Sequence, residues 1–89
     1  MPKIYEYMGI SIYIYNNDHE PIHVHARYNG NEVKIYRTIY SNVKGEFSPT
    51  KLRYLKKFIS VFKETIIQLW TQINIWKVPV TTIKITKRI

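Results

Sequence analysis

Ile22-His23-Val24-His25-Ala26-Arg27-Tyr28-Asn29-Gly30-Asn31-Glu32-Val33-Lys34-Ile35-Tyr36 is the stretch that decides the architecture. Val24 and Ala26 alternate with His25 and Arg27, and Val33 and Ile35 alternate with Glu32 and Lys34, so each half has the period of two of a half-buried strand. Asn29-Gly30 tolerates the positive φ that a type I′ turn needs at both central positions. A two-residue loop pairs Tyr28 with Asn31. That sets Ala26 against Val33 and Val24 against Ile35 on one face, and Arg27 against Glu32, His25 against Lys34 and His23 against Tyr36 on the other. Because a slip of one residue inverts every side chain, this agreement of turn length with face parity predicts the register as well as the hairpin.

Outward from the hairpin, Ile10, Ile12 and Ile14 alternate with Ser11, Tyr13 and Tyr15, which predicts a preceding strand, with a shorter one over Ile4 to Met8 before Gly9. Asn16 to Pro21 supplies turn chemistry between them and the hairpin. Beyond it, the strand is expected to end near Ile39, and Ser41-Asn42 to turn into a further short strand toward Phe47. Ser48-Pro49 reads as an N-cap followed by proline at the first helical position. Leu52, Leu55, Ile59, Phe62, Ile66, Leu69 and Ile73 then recur at helical spacing to about Asn74 or Trp76, and Pro79 forbids much extension. Tyr54, Phe58, Val61 and Trp70 widen the apolar arc and point to a second buried surface, a homo-oligomer or partner contact. Ile83 and Ile85, alternating with Lys84 and Thr86, predict a closing strand. The expected fold is α+β: a small antiparallel sheet, an N-terminal meander plus the C-terminal strand, packed on one long helix in a single domain of residues 1–89.

The chain's 89 residues suffice for one core, and 45% hydrophobic content is too high for a disordered chain. The absence of cysteine excludes a disulfide scaffold, thiolate metal sites and cysteine nucleophiles, and fits a reducing compartment. With no signal peptide and no apolar run long enough to span a bilayer, a cytoplasmic location without membrane contact is expected. The net charge of +8 is uneven: up to Gly45, five basic residues face four acidic ones, whereas from Glu46 onward nine face two. Such a field favours phosphate-rich or acidic partners, although a lysine-rich composition alone also produces it.

All three histidines lie in Asp18-His19-Glu20-Pro21-Ile22-His23-Val24-His25. On a strand, His23 and His25 share a face with Cα atoms ~6.5 to 7 Å apart, close enough for both rings to reach one metal ion, with Asp18 or His19 as a third ligand. Two imidazoles beside Arg27 and Lys34 also suit proton transfer at a phosphodiester. A third reading is structural, with the rings hydrogen-bonded to the turn and bridging to Tyr13 and Tyr36. Both positions have the parity opposite to the apolar face, so their replacement is expected to cost little stability. Arg27 and Glu32 form a cross-strand ion pair in this register. Tyr13, Tyr15 and Tyr36 share the histidine face, where rings beside cations stack bases in RNA-binding sheets. Lys51, Arg53, Lys56 and Lys57 near the helix start oppose the helix dipole, a cost that a phosphate ligand would relieve.

Met1-Pro2-x-Ile4, Gly9-Ile10-x-Ile12-x-x-Tyr15 and Asp18-His19-x-Pro21-x-His23-x-His25-x-x-Tyr28 resemble the opening of a small bacterial domain of unknown function. The likeness continues more weakly through Gly45 and Phe47-Ser48-Pro49 into the helix. Many relatives have proline where Ile22 stands and an aromatic residue where Val24 stands, and their helix is more acidic. The resemblance implies an α+β fold and a toxin-like role in a type II toxin–antitoxin module, with a cognate small antitoxin-like protein as partner. With it, the catalytic candidates are His23, His25, Asp18 and His19. The nucleic-acid-binding candidates are Arg27, Lys34, Tyr36, Lys51, Arg53, Lys56 and Lys57. No cofactor is expected, and metal binding remains the third reading of the histidine segment, behind a protein-interaction module.

Overall fold

The hairpin forms in the register its turn dictates: Val24 pairs with Ile35, His25 with Lys34, Ala26 with Val33, Arg27 with Glu32 and Tyr28 with Asn31. Asn29 and Gly30 both take positive φ, 54° and 82°, as a type I′ turn requires. The computed structural model describes residues 3–15, 22–36, 39–77 and 79–86. Its elements are β1 (Lys3–Tyr7), β2 (Ile10–Tyr13), β3 (Val24–Tyr28), β4 (Asn31–Tyr36), β5 (Ile39–Lys44), α1 (Pro49–Asn74) and β6 (Ile83–Ile85).

The strands form one sheet in the order β5-β4-β3-β2-β1-β6. β1 to β5 are an antiparallel meander, whereas β6 runs parallel to β1. That departure from a wholly antiparallel sheet follows from strand direction. β5 runs the same way as β1, α1 carries the chain back, and the next strand must repeat the direction of β5. Ser41 and Asn42 stand in the middle of β5 rather than in a turn. All six β5 residues are exposed, and a strand open on both faces accommodates polar side chains that a buried strand would not.

Helix α1 starts where Ser48 caps it, its Oγ accepting the Lys51 N–H at 3.2 Å. The core-facing residues are Leu55, Phe58, Ile59, Ile66, Trp70 and Ile73, with Leu52, Phe62 and Leu69 only partly buried. They cover Ile4, Tyr5, Tyr7, Ile10, Ile12, Ile14, Val24, Ala26, Val33 and Ile35 of the sheet. Phe58 and Trp70 therefore belong to this one core, not to a second interface. The Phe58 ring lies 4.9 Å from Tyr5, 5.2 Å from Tyr7 and 4.7 Å from Phe62. At Phe62 the backbone leaves helical values (φ −104°, ψ 17°) and the helix kinks. Adjacent residues on a helix point about 100° apart, so a six-stranded sheet uses a wider arc than a stripe spaced by three and four describes. Among the described residues, no helix is long and apolar enough to cross a membrane.

Candidate functional site

The face of the sheet opposite α1 carries the residues of the other parity. Ser11 pairs with Arg27, Tyr13 with His25, His25 with Lys34 and Arg27 with Glu32, so the histidine strand lies between tyrosines on one side and charges on the other. At the centre of this face is a polar cluster built on Glu32. Arg27 Nε donates to Glu32 Oε1 at 2.7 Å, Tyr15 OH donates to Oε2 at 3.1 Å, and His25 Nδ1 lies 3.3 Å from the same oxygen. Arg27 Nη2 donates in turn to Tyr15 OH at 3.2 Å, and its guanidinium lies over the Tyr13 ring at 5.2 Å. Tyr15 stacks on His25 with centroids 3.8 Å apart and planes 8° from parallel, and His23 meets His25 edge-on at 5.1 Å.

Burial opposes ionisation of Glu32, but the hydrogen bond from Arg27, that from Tyr15, the Arg27 charge and the His25 contact outweigh it, holding the carboxyl below its ordinary value. The Tyr15 phenol is pushed up, first by burial and then by its hydrogen bond to anionic Glu32 and that charge, against the opposing effect of Arg27. Both groups are thus held in the forms that keep the network closed: Glu32 charged, Tyr15 protonated.

The structure separates the residues singled out from sequence. His25, Arg27 and Lys34 share the outer face, and the Arg27–Glu32 pair is present as expected. His23 and His25 have the expected parity yet are only 7% and 8% exposed, so their replacement cannot be treated as a surface change. Tyr36 and His23 lie at the end of the sheet, where with Ile59, Lys63 and Ile66 of α1 they line a groove of about 450 Å³. The helix cations belong to the opposite layer. Lys51 is used inside the fold, its Nζ donating to the Met8 carbonyl at 2.7 Å and lying 4.4 Å over the Tyr28 ring. Lys56 lies over the Tyr40 ring at 5.1 Å, while Arg53 and Lys57 are exposed. Asp18 and His19 lie outside the described residues, and so does any metal set that includes them. Among the described residues, no three His, Cys, Asp or Glu side chains are placed to hold a metal ion.

Glu32 as a three-way acceptor and Tyr15 as the lid over His25 were not evident from sequence. The period of β2 places Tyr15 on the correct face. Its proximity to Glu32, 17 positions away, depends on the register between β2 and β3, which a two-residue turn does not set.

A family model for a domain of unknown function matches residues 9–71, well over half of the chain. The chain belongs to this family, DUF4160. The DUF4160 match spans β2 to β5, the histidine segment and most of α1, and leaves out β1 and β6, which pair with each other at one side of the sheet. No curated protein and no solved structure gives a significant match.

Proposed function

We propose that this DUF4160 domain is the toxin component of a bacterial type II toxin–antitoxin module, engaging RNA or its machinery through the sheet face opposite α1. The observation that supports this reading is the interleaving of rings and cations on that face. Arg27 lies on Tyr13, Tyr15 on His25, and Lys34 stands beside His25 on the next strand. Sheets that bind single-stranded RNA use this combination, with stacking for the bases and cations for the phosphates. By register, Lys34, Lys44 and Lys84 extend the positive charge across the same face. Histidine-dependent cleavage fits here only with Tyr15 displaced, since its ring covers His25. Glu32 at Nδ1 would then orient the imidazole and make Nε2 the nitrogen that exchanges a proton with a phosphodiester.

A second reading, a non-enzymatic module that binds a cognate small antitoxin-like protein, is favoured by exposed apolar residues in the last turns of α1 and just after it: Ile67 is 44% exposed, Ile75 61% and Trp76 62%. The two readings separate by salt dependence. Retention on single-stranded RNA should fall steeply with salt, and Lys34→Gln with Lys44→Gln should flatten that slope by about one for each lost phosphate contact. Arg53→Gln with Lys57→Gln, on the opposite layer, should leave it unchanged. Equal loss from both pairs, or no retention at low salt, refutes the sheet-face reading. A salt-insensitive complex with the cognate antitoxin-like protein instead supports the second.

A further inference from the structure

We propose that two copies of the chain join edge to edge through β5 into one continuous sheet. β5 is an outer strand, paired only with β4 among the described residues. It is six residues long and exposed throughout, with Ile39 at 74%, Val43 at 55% and Tyr40 at 42%. Edge strands of proteins that stay monomeric are kept short, bulged, or carry charges or proline. In β5 such devices stand only at its far end, where the register shifts between Asn42 and Lys44; Ile39 to Asn42 carry none.

Hydrogen-bond direction shows how the edge would pair. In a hairpin with a two-residue turn the flanking residues, here Tyr28 and Asn31, exchange both backbone bonds. Alternation then directs the N–H and C=O of Asn31, Val33 and Ile35 to β3, and those of Lys34 and Tyr36 to their β5 partners Ser41 and Ile39. Tyr40 and Asn42 are left directing their N–H and C=O away from β4, to the open edge. An antiparallel two-fold pairing centred on Ser41 uses all of these groups. Tyr40 N–H meets Asn42 C=O of the second copy, and Asn42 N–H meets its Tyr40 C=O, each repeated by symmetry. The same pairing brings Ile39 of each copy alongside Val43 of the other, the residue at which β5 bulges, so an apolar pair lies on either side of the axis.

A strand edge of this length covers less than the roughly 800 Å² per partner of a standard interface, so the dimer is expected to dissociate in the micromolar range. Each copy carries a net charge of +8, so screening should strengthen association, the reverse of the salt dependence expected for RNA.

The test is the mass of the full chain by light scattering across micromolar to millimolar concentration, at low and high salt. The mass should rise toward two chains and do so at lower concentration in high salt. Asn42→Pro removes an outward N–H without touching the bonds to β4, a position at which an edge strand tolerates proline. It should keep the circular dichroism of the parent and remain monomeric. Ser41→Cys gives a chain with no other thiol and sets two Cys Cα atoms about 4.5 Å apart across a non-hydrogen-bonded pair. Under a mild thiol oxidant it should cross-link at concentrations where Val61→Cys, on the exposed side of α1, does not. A single-chain mass throughout, a dimer that Asn42→Pro leaves intact, or cross-linking of Ser41→Cys no faster than that of Val61→Cys overturns the proposal.

Discussion

Phe58→Ala should be the most damaging single substitution in the helix, and it should exceed Phe62→Ala by a clear margin. Phe58 is fully buried, and its ring contacts Tyr5 edge-on, lies near-parallel to Tyr7 and packs on Phe62. Removing a buried phenylalanine costs about 3–5 kcal/mol from lost transfer energy and the cavity left behind. The loss of three aromatic contacts, each ~0.5–1.5 kcal/mol, places this substitution at the upper end of that range. Phe62 also packs on Tyr5, at 5.3 Å, but stands at the kink and is only partly buried, so about 1–2 kcal/mol is expected there. For a domain of this size a loss of 1 kcal/mol lowers Tm by ~4–8 °C. Phe58→Ala should therefore lower it by tens of degrees or prevent folding, and Phe62→Ala by about ten. Urea unfolding followed by circular dichroism measures both, and Phe58→Leu, which keeps most of the volume, provides a folded reference. Equal losses from the two alanine variants, or a larger loss at Phe62, would show that the core is centred on the sequence stripe rather than on the Tyr5–Phe58–Tyr7 stack.

The folded Glu32 carboxyl titrates below its ordinary value of 4.5, so the unfolded chain takes up that proton first; stability from this group is present above that pH and lost as pH falls through the folded value. Glu32→Gln should remove that acid-sensitive part, and melting temperatures that decline equally in both proteins below pH 4.5 would refute the network. His23→Ala with His25→Ala should lower stability by on the order of 1–3 kcal/mol, since Glu32 loses a partner and Tyr15 its stacking surface. A melting temperature equal to the parent's would return the histidines to the role of surface groups.

Much of the architecture was legible because it is set by local chemistry. Asn29-Gly30 determined turn type and hence hairpin register, Ser48-Pro49 determined where α1 begins, and the alternation of Ile10, Ile12 and Ile14 identified the buried face of β2. Each depends on residues within a few positions of one another, where φ preference and side-chain parity act directly. What only the tertiary structure decided depends on how separate elements meet. Helical spacing does not choose between Leu69 and Trp70, which lie within the same broad arc; the way the kinked helix meets the sheet buries Trp70 and leaves Leu69 half-buried. Parity placed the histidines off the apolar face, but Tyr15, just beyond the end of β2, stacks on His25 and covers it. Arg27 and the helix cations Lys51, Arg53, Lys56 and Lys57 were candidates for one nucleic-acid surface, and the fold puts them on opposite layers. Charge and periodicity are properties of the sequence, whereas which groups face one another is fixed by the registers and crossings through which the chain returns upon itself.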